Sequence, residues 1–506
     1  MEVVSTKVDK NNFKLSFKDP SIVYINFGMW CTDTHYPDNN NPESLIMTDA
    51  GPAPQPTKPS RTVNQNPDAM PPLGKAIPLG IQHIMAMFAG NVTPPIIIAG
   101  VIGATTGEQI FLIQVALFVA GVATLIQTIG MGPIGARLPI VQGTSFGFLP
   151  VALPLAGTFG LPAVLGASLV AGCLQVGLGA FLKKIRHWFS PVVTGIVVLL
   201  IGITLMPVGL NYAAGGVGAD DFASPTNLGL ALFVLVVIIL VHQFGRGFLK
   251  AASILVGLVS GYLVAIALGM VDFSSVGNAA WFAIPRPLQY GMEFQLTAII
   301  GMTLIMFVVG LETIGNISAI TIGGAGRQAK DRELSGGVMA DGVATSFAAV
   351  FNTLPNTAYA QNVGLITLTG VVSRHVVTIG GILLICMGLF PKLGGLVAAM
   401  PHAVLGGAGV VMFGMIASAG LKIIQECELN QRAMLIIAVA MSLGIGLPAV
   451  EAIAETMPGQ AGLLLKSGLV PAALAALLLD ALLPGKPQRN APEAATAKGE
   501  EVSPTP

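Results

Sequence analysis

From about residue 77 onward, long apolar runs alternate with short polar links. A helix needs about 20 apolar residues to cross the hydrocarbon core of a bilayer. The pattern predicts spanning helices near 77–101, 108–129, 161–182, 190–210, 226–244, 250–270, 295–321, 335–352, 375–391, 403–423, 433–449 and 464–483. Two further runs, 139–156 and 355–372, differ in kind. Each is short, opens with proline and carries a polar knot, QGTSF at 142–146 and AYAQNVG at 358–364. These predict broken crossings, a non-helical half followed by a half-helix. Counting both gives about 14 crossings, which puts the two termini on one side.

The polar positions sharpen this picture. Residues 1–72 hold DNNNPES, GPAPQPTKPS and RTVNQNPDAMPP, and read as a disordered N-terminal tail. Residues 1–46 differ from the Pro-rich stretch after Met47, which suggests a natural start at Met47. Residues 486–506 read as a second disordered tail. Between the tails, one set of alternate links carries Arg137, Lys183, Lys184, Arg186, Arg246, Lys250, Arg327, Lys330, Arg332, Arg374, Lys422 and Arg432. The other set carries Arg286, Lys392 and Lys466. Basic residues concentrate on the cytoplasmic side of a membrane protein, so both termini are expected in the cytoplasm. Dropping either broken run would scramble the alternation.

Composition then excludes whole classes. Of 506 residues, 53% are hydrophobic and only 10% charged, against about 25% charged in a soluble domain. Mean hydropathy is +0.77. A net charge of zero gives no field to draw a polyanion, so no nucleic-acid partner is expected. The cysteines, Cys31, Cys173, Cys386 and Cys427, show no CxxC spacing and read as free thiols rather than a metal site. No phosphate-binding GxxxxGK[ST], no HExxH and no Arg-rich helix is present.

Gln142 and Gln361, in the two broken runs, lie 219 residues apart. Two seven-span halves with matching interruptions are the mark of an inverted-repeat secondary transporter. Within the apolar runs, Glu312 stands out, because a carboxylate there costs a few kcal/mol or more unless paired or protonated. Asn316 follows one turn later on the same face. Asp341 reads either as a second intramembrane acid or as a cap near the start of its span. The amides of Gln361 and Asn362 offer paired donors and acceptors suited to the edge of a planar heterocycle. Gly364 lets a ligand approach the backbone. His83 reads more simply as a structural hydrogen bonder than as a ligand. The remaining histidines, His35, His187, His242, His375 and His402, have weaker claims.

At 361–370 the chain reads QNVGLITLTG, and this resembles the signature of the nucleobase–ascorbate (nucleobase–cation symporter-2) family. Gln361, Asn362, Gly364 and Thr369 match its fixed positions. QHIMAMFAGNVTPP at 82–95, QGTSFGFLP at 142–150, GLETIGN at 310–316 and ADG at 340–342 agree in family order. The resemblance implies an all-α polytopic membrane protein with 14 transmembrane segments in two inverted seven-segment repeats and short strands in segments 3 and 10. It implies a core domain at 73–186 and 291–400, a gate domain at 187–290 and 401–485, a homodimer and an elevator-like movement of the core. It places Glu312 and Gln361 at the main base-binding positions, and His83, Asp341 and Asn362 at positions that matter for activity or coupling. Gln361 resembles the xanthine and uric acid branch, whereas the uracil branch has Glu. Asn316 departs from the Asp common in purine members.

The expected function is import of a purine base, xanthine and/or uric acid, by symport with protons rather than sodium across the plasma (inner) membrane. Glu312, Gln361, Asn362 and Gly364 would bind the base and Phe146 or Phe148 would stack on it. His83, Asp341, Asn316 and Thr369 would serve coupling or structure. No cofactor, metal or catalytic residue is expected, and the partners are the base, the bilayer and a second copy. The alternative within transport is uracil or another base. A channel or an intramembrane enzyme is the alternative outside it.

Overall fold

The structure is a computed structural model describing residues 3–9, 12–17, 23–26, 66–185, 190–457 and 461–484. A first unit, Met1–Arg61, contains β1 (Val3–Asp9), β2 (Asn12–Phe17) and β3 (Val23–Asn26), paired antiparallel in the order β1-β2-β3. These strands fall within residues 1–72, the stretch expected to be a disordered tail. NFKLSF alternates polar and apolar residues, a period-two pattern that suits a strand. The expected start at Met47, Cys31, His35, His187 and the tail 486–506 lie outside the described residues.

The described residues of the second unit, Thr62–Pro506, form helices and two short strands with their links. It opens with α1 (Leu73–Val101), which continues through Pro94 and Pro95, and α2 (Thr106–Ile129). A capping box starts α2: Thr105 Oγ1 accepts the Glu108 N–H, and the Glu108 carboxylate accepts the Thr105 N–H. The first broken run follows as β4 (Gln142–Thr144), a 3₁₀ turn at Phe146–Phe148 and α3 (Leu149–Phe159). Then come α4 (Leu161–Ala180), α5 (Leu182–Ile185), α6 (Pro191–Ala213), α7 (Pro225–Phe244), α8 (Phe248–Ala251), α9 (Ser253–Ala267) and α10 (Ser274–Asn278). Ser190 and Ser224 each cap a helix whose first residue is proline, the position where a missing N–H is tolerated.

The second half begins with α11 (Leu296–Gly323) and α12 (Asp331–Val350). In the link between them, Arg327 forms a two-bonded pair with Glu333. Partial burial opposes the Glu333 charge, but hydrogen bonds from Arg327 and the Lys330 N–H outweigh it and hold the carboxyl below its ordinary range. The second broken run is β5 (Asn356–Ala358) followed by α13 (Ala360–Thr369). After it come α14 (Arg374–Gly388), α15 (Pro391–Ala398), α16 (His402–Gln425), α17 (Gln431–Ala449), α18 (Glu451–Glu455), α19 (Ala461–Lys466) and α20 (Leu469–Leu482). The single helix expected over 464–483 is thus two, broken at Gly468. Its φ is +61°, and an added Cβ would lie 2.2 Å from the Gly444 carbonyl oxygen.

Among the described residues eight helices are long and apolar enough to cross a membrane, or nine if α14 and α15, bent by 81°, count as one span. The helix at Phe146–Phe159, α9 and α20 are apolar but shorter. α12 was expected to cross; it carries Asp331, Arg332, Glu333 and Asp341 and is not among the eight.

The two broken runs meet. β4 and β5 pair antiparallel, Gln142 with Ala358, Gly143 with Thr357 and Thr144 with Asn356. The ladder extends one bond each way, Tyr359 N–H to Val141 O at 3.0 Å and Ser145 N–H to Pro355 O at 2.9 Å. Backbone that leaves a helix inside an apolar protein needs another backbone to bond, and each run supplies the other. At Gly143 a Cβ would fall 2.7 Å from Met87 Cε and Tyr359 Cε2 and 2.8 Å from Asn91 Oδ1, so only glycine fits.

Helices from the two halves pack in pairs, α4 on α12, α2 on α14 and α6 on α16. In lipid such contacts rest on small residues that let backbones approach. Gly195, Gly202 and Gly209 recur at seven-residue spacing along α6 and face α16. From α16, a Cβ at Gly406 would sit 1.9 Å from Ala213 N, and one at Gly420 would sit 2.2 Å from Leu199 N. These obstacles are backbone and cannot rotate away. Gly420→Leu is therefore expected to cost more than the about 1–3 kcal/mol typical of overpacking. It should lower the yield of monodisperse protein and its melting temperature in detergent. Gly446→Ala, where nothing lies within 4 Å, should leave both unchanged.

Candidate functional site

Side chains from α1, α2, α11, α12 and α13 converge on the strand crossing. Asp341 lies in the middle of α12, fully buried, so it is not the helix-end cap considered from sequence. Its Oδ1 accepts hydrogen bonds from the side-chain amides of Gln127 on α2, at 3.3 Å, and Gln142 on β4. Its Oδ2 accepts one from the Thr313 hydroxyl on α11. Gln127 is itself fixed, donating to Gly337 O at 3.2 Å and accepting from the Ala136 N–H at 2.9 Å. A buried carboxylate with this donor set is oriented and satisfied.

Glu312 precedes Thr313 on α11 and is half-buried. It accepts no hydrogen bond among the described residues, and it is close enough to Asp341 and Tyr359 to act on them electrostatically. On the opening turn of α13, Gln361 is exposed. Gly364, one turn on, is exposed too, with room beside its backbone for a ligand. Asn362 points the other way and is buried. Its amide nitrogen donates to His83 O at 2.9 Å and lies 3.0 Å from His83 Nδ1, while its Oδ1 has no partner. Because a carbonyl can only accept, that nitrogen is the donor. His83 Nδ1 therefore accepts, and the ring is neutral. The pair ties α1 to α13.

Asn316 spends its amide on the strand, donating to Ala358 O at 3.0 Å. Thr369 closes the end of α13, its hydroxyl donating to Leu365 O at 2.8 Å and accepting the Val371 N–H at 3.4 Å. Phe146 meets Phe413 of α16 edge to face, with centroids 5.6 Å apart. Phe148 is wholly enclosed in the core, and Phe146, 8% exposed, is buried in the same cluster.

Several polar residues here escaped the sequence reading. Asn91 Oδ1 accepts both the N–H (2.8 Å) and the hydroxyl (3.0 Å) of Thr144. Tyr359 donates its hydroxyl to Thr144 O at 2.7 Å. Thr124 accepts the Gln142 N–H at 3.0 Å. Thr124, Gln127 and Thr128 fall on one face of an otherwise apolar helix, a three-and-four spacing that would have flagged them.

Removing the Asp341 carboxylate takes an acceptor from three donors; Gln127 keeps Gly337 O and Thr313 has Thr357 within reach, so the amide of Gln142 is the one stranded, at about 1–3 kcal/mol for a buried unpaired donor. Asp341→Ala should therefore lower the detergent melting temperature more than Asp341→Asn, which keeps one carbonyl acceptor. Equal melting temperatures would contradict this account of the network.

The chain matches a family model described as "Permease family" (Xan_ur_permease) over residues 74–453. It is 37% identical over 409 residues to the xanthine permease of Bacillus subtilis, covering 80% of this chain and 93% of that protein. It is 38% identical over 415 residues to the uric acid permease PucK of the same organism, covering 82% and 96%. Among solved structures, the murine anion transporter Slc26a9, Solute Carrier 26 family member A9, in its inward-facing state superposes with a TM-score of 0.56. That match has 12% identity and covers 81% of this chain and 69% of that one, a likeness of fold. The chain belongs to the nucleobase–ascorbate transporter family, on its xanthine and uric acid permease branch, and is a multi-pass membrane transporter rather than an enzyme.

Proposed function

We propose that this permease imports a purine base, xanthine and/or uric acid, together with a proton. The carrying observation is Glu312, an acid within an apolar helix that accepts no hydrogen bond among the described residues, beside a strand crossing whose other carboxylate, Asp341, is engaged on both oxygens. A carboxyl left free in that setting is available to a ligand N–H and to a proton. Gln361, exposed at the start of α13, supplies the second hydrogen-bonding edge, and Phe146 the aromatic surface. The names of the two Bacillus relatives, and Gln rather than Glu at position 361, favour an oxidised purine over uracil.

In this reading the chain forms 14 segments in two inverted repeats, with both termini cytoplasmic in the plasma membrane. The core, carrying β4, β5, Glu312 and Gln361, moves as an elevator against a gate built from segments at 187–290 and 401–485. The working unit is a homodimer, and the coupling ion is the proton rather than sodium. Asn316 holds Ala358 O and so serves the strand, which is why an amide suffices where purine relatives commonly have an acid.

Uptake of labelled xanthine, urate, uracil and guanine in cells lacking their own permeases tests the assignment, with and without a protonophore. Accumulation of xanthine or urate that collapses with the protonophore is expected; uptake of uracil alone would overturn the substrate class. Glu312→Gln should lose at least 90% of concentrative uptake at normal surface abundance. Wild-type accumulation by that variant would remove Glu312 from coupling.

A further inference from the structure

The two oxygens of Asp341 are not equivalent. Oδ1 is occupied by the amides of Gln127 and Gln142, groups that can only donate from their nitrogens. Oδ2 faces Thr313 alone. A proton arriving on this carboxyl therefore settles on Oδ2, where it meets the Thr313 oxygen. A hydroxyl has one hydrogen, so Thr313 cannot donate to Oδ2 and accept from it at once. It must turn its hydrogen elsewhere. Among the described residues the one other oxygen within reach is Thr357 Oγ1, at 3.4 Å, on β5.

We propose that Thr313 is a positioning residue that reports the charge state of Asp341 to the strand crossing. With Asp341 ionised, the Thr313 hydrogen points at Oδ2. With Asp341 protonated, the Oδ2–H donates to Thr313 Oγ1, and the Thr313 hydrogen turns to Thr357 Oγ1. No bond to hydrogen is broken within the pair; one proton is gained by Asp341 and one hydroxyl rotates. The change reverses the hydrogen bond between α11 and β5: Thr357 donates to Thr313 while Asp341 is ionised and accepts from it once Asp341 is protonated, next to the strand residue Ala358 that Asn316 also grips. The reversal releases the hydrogen of Thr357, which is paired with Gly143 across the ladder. The direction of hydrogen bonding at the strand crossing is thereby different with and without the proton.

The elements packed on α12 bring few charges to bear. α2 presents Gln127, β4 presents Gln142, β5 presents Thr357, and α4 contributes Gln175, whose buried amide has no partner. α5 carries Lys183 and Lys184 at the first turn of α12, with Lys183 on Asp331; α11 presents Thr313 and Glu312, and among the described residues Glu312 is the one charged group acting on Asp341. The device thus senses a proton on Asp341 against a single neighbouring acid.

This inference rests on the proton-coupled reading above. The test measures labelled xanthine uptake by the full-length protein at external pH 5.5 and 7.5, alongside exchange at equal pH on both sides. Thr313→Val and Thr357→Val are compared with Thr313→Ser and Thr357→Ser, at matched surface abundance. Both valine variants should bring the uptake ratio between the two pH values to within twofold of unity and keep exchange. Both serine variants should restore the wild-type ratio, which a purely steric role of the methyl-bearing side chain would not produce. A wild-type ratio in Thr313→Val or in Thr357→Val overturns the relay. Should the valine variants fail to reach the membrane, a wild-type ratio in Thr357→Ala overturns it equally. A wild-type protein whose uptake ignores both pH and protonophore overturns the coupling reading itself.

Discussion

The structure depends on one constraint: a polar group in the middle of an apolar bundle must find its partner inside the protein. Two stretches of chain leave the helical state there, and each leaves N–H and C=O groups without intrahelical bonds. The antiparallel pairing of Gln142–Thr144 with Asn356–Ala358 resolves both deficits at once. Side chains complete it: Asn91 on Thr144, Thr124 on Gln142, Asn316 on Ala358 and Tyr359 on Thr144. These backbone and side-chain bonds tie the starts of the two following helices to one place. Of the two acids beside the crossing, Asp341 is bonded on both oxygens, while Glu312 accepts no hydrogen bond among the described residues.

Packing around the crossing follows a second rule of the apolar medium. Water supplies no hydrophobic drive between helices within a bilayer, so close contact must come from shape. The glycines of α6 and α16 bring backbones together, and the same device recurs where Gly121 meets the Gly381 carbonyl and Gly172 meets that of Gly342. These contacts join the first half of the chain to the second. The glycine content that marks the composition is thus spent at the seams between halves.

Much was legible from residue order. Long apolar runs fixed most helices, because a helix that must cross lipid can hardly be written in any other residues. Proline followed by a polar knot marked both broken runs, since backbone cannot leave a helix at that depth without leaving a trace. The failures have equally physical origins. At 464–483 a single glycine in an apolar run hid the break at Gly468, as hydropathy is blind to φ. Asp341 read equally well as a cap or a buried acid, because its donors come from residues 28 to 214 positions away. Phe146 and Phe148 looked alike two residues apart, and the 3₁₀ turn buries both in one cluster, with Phe146 edge to face on Phe413.

Sequence alone thus determined that this chain is a polytopic membrane transporter, where its polar interruptions fall and which family signature they spell, because each of these is a local property of consecutive residues. Tertiary structure decided which polar residues are spent on architecture and which stay free. Asn362 and Asn316, both candidates for the ligand, are bonded to His83 and Ala358, while Glu312 and Gln361 are not so held. The reason is that a hydrogen bond is a relation between two residues, and its other half lies on a helix whose arrival no run of sequence announces.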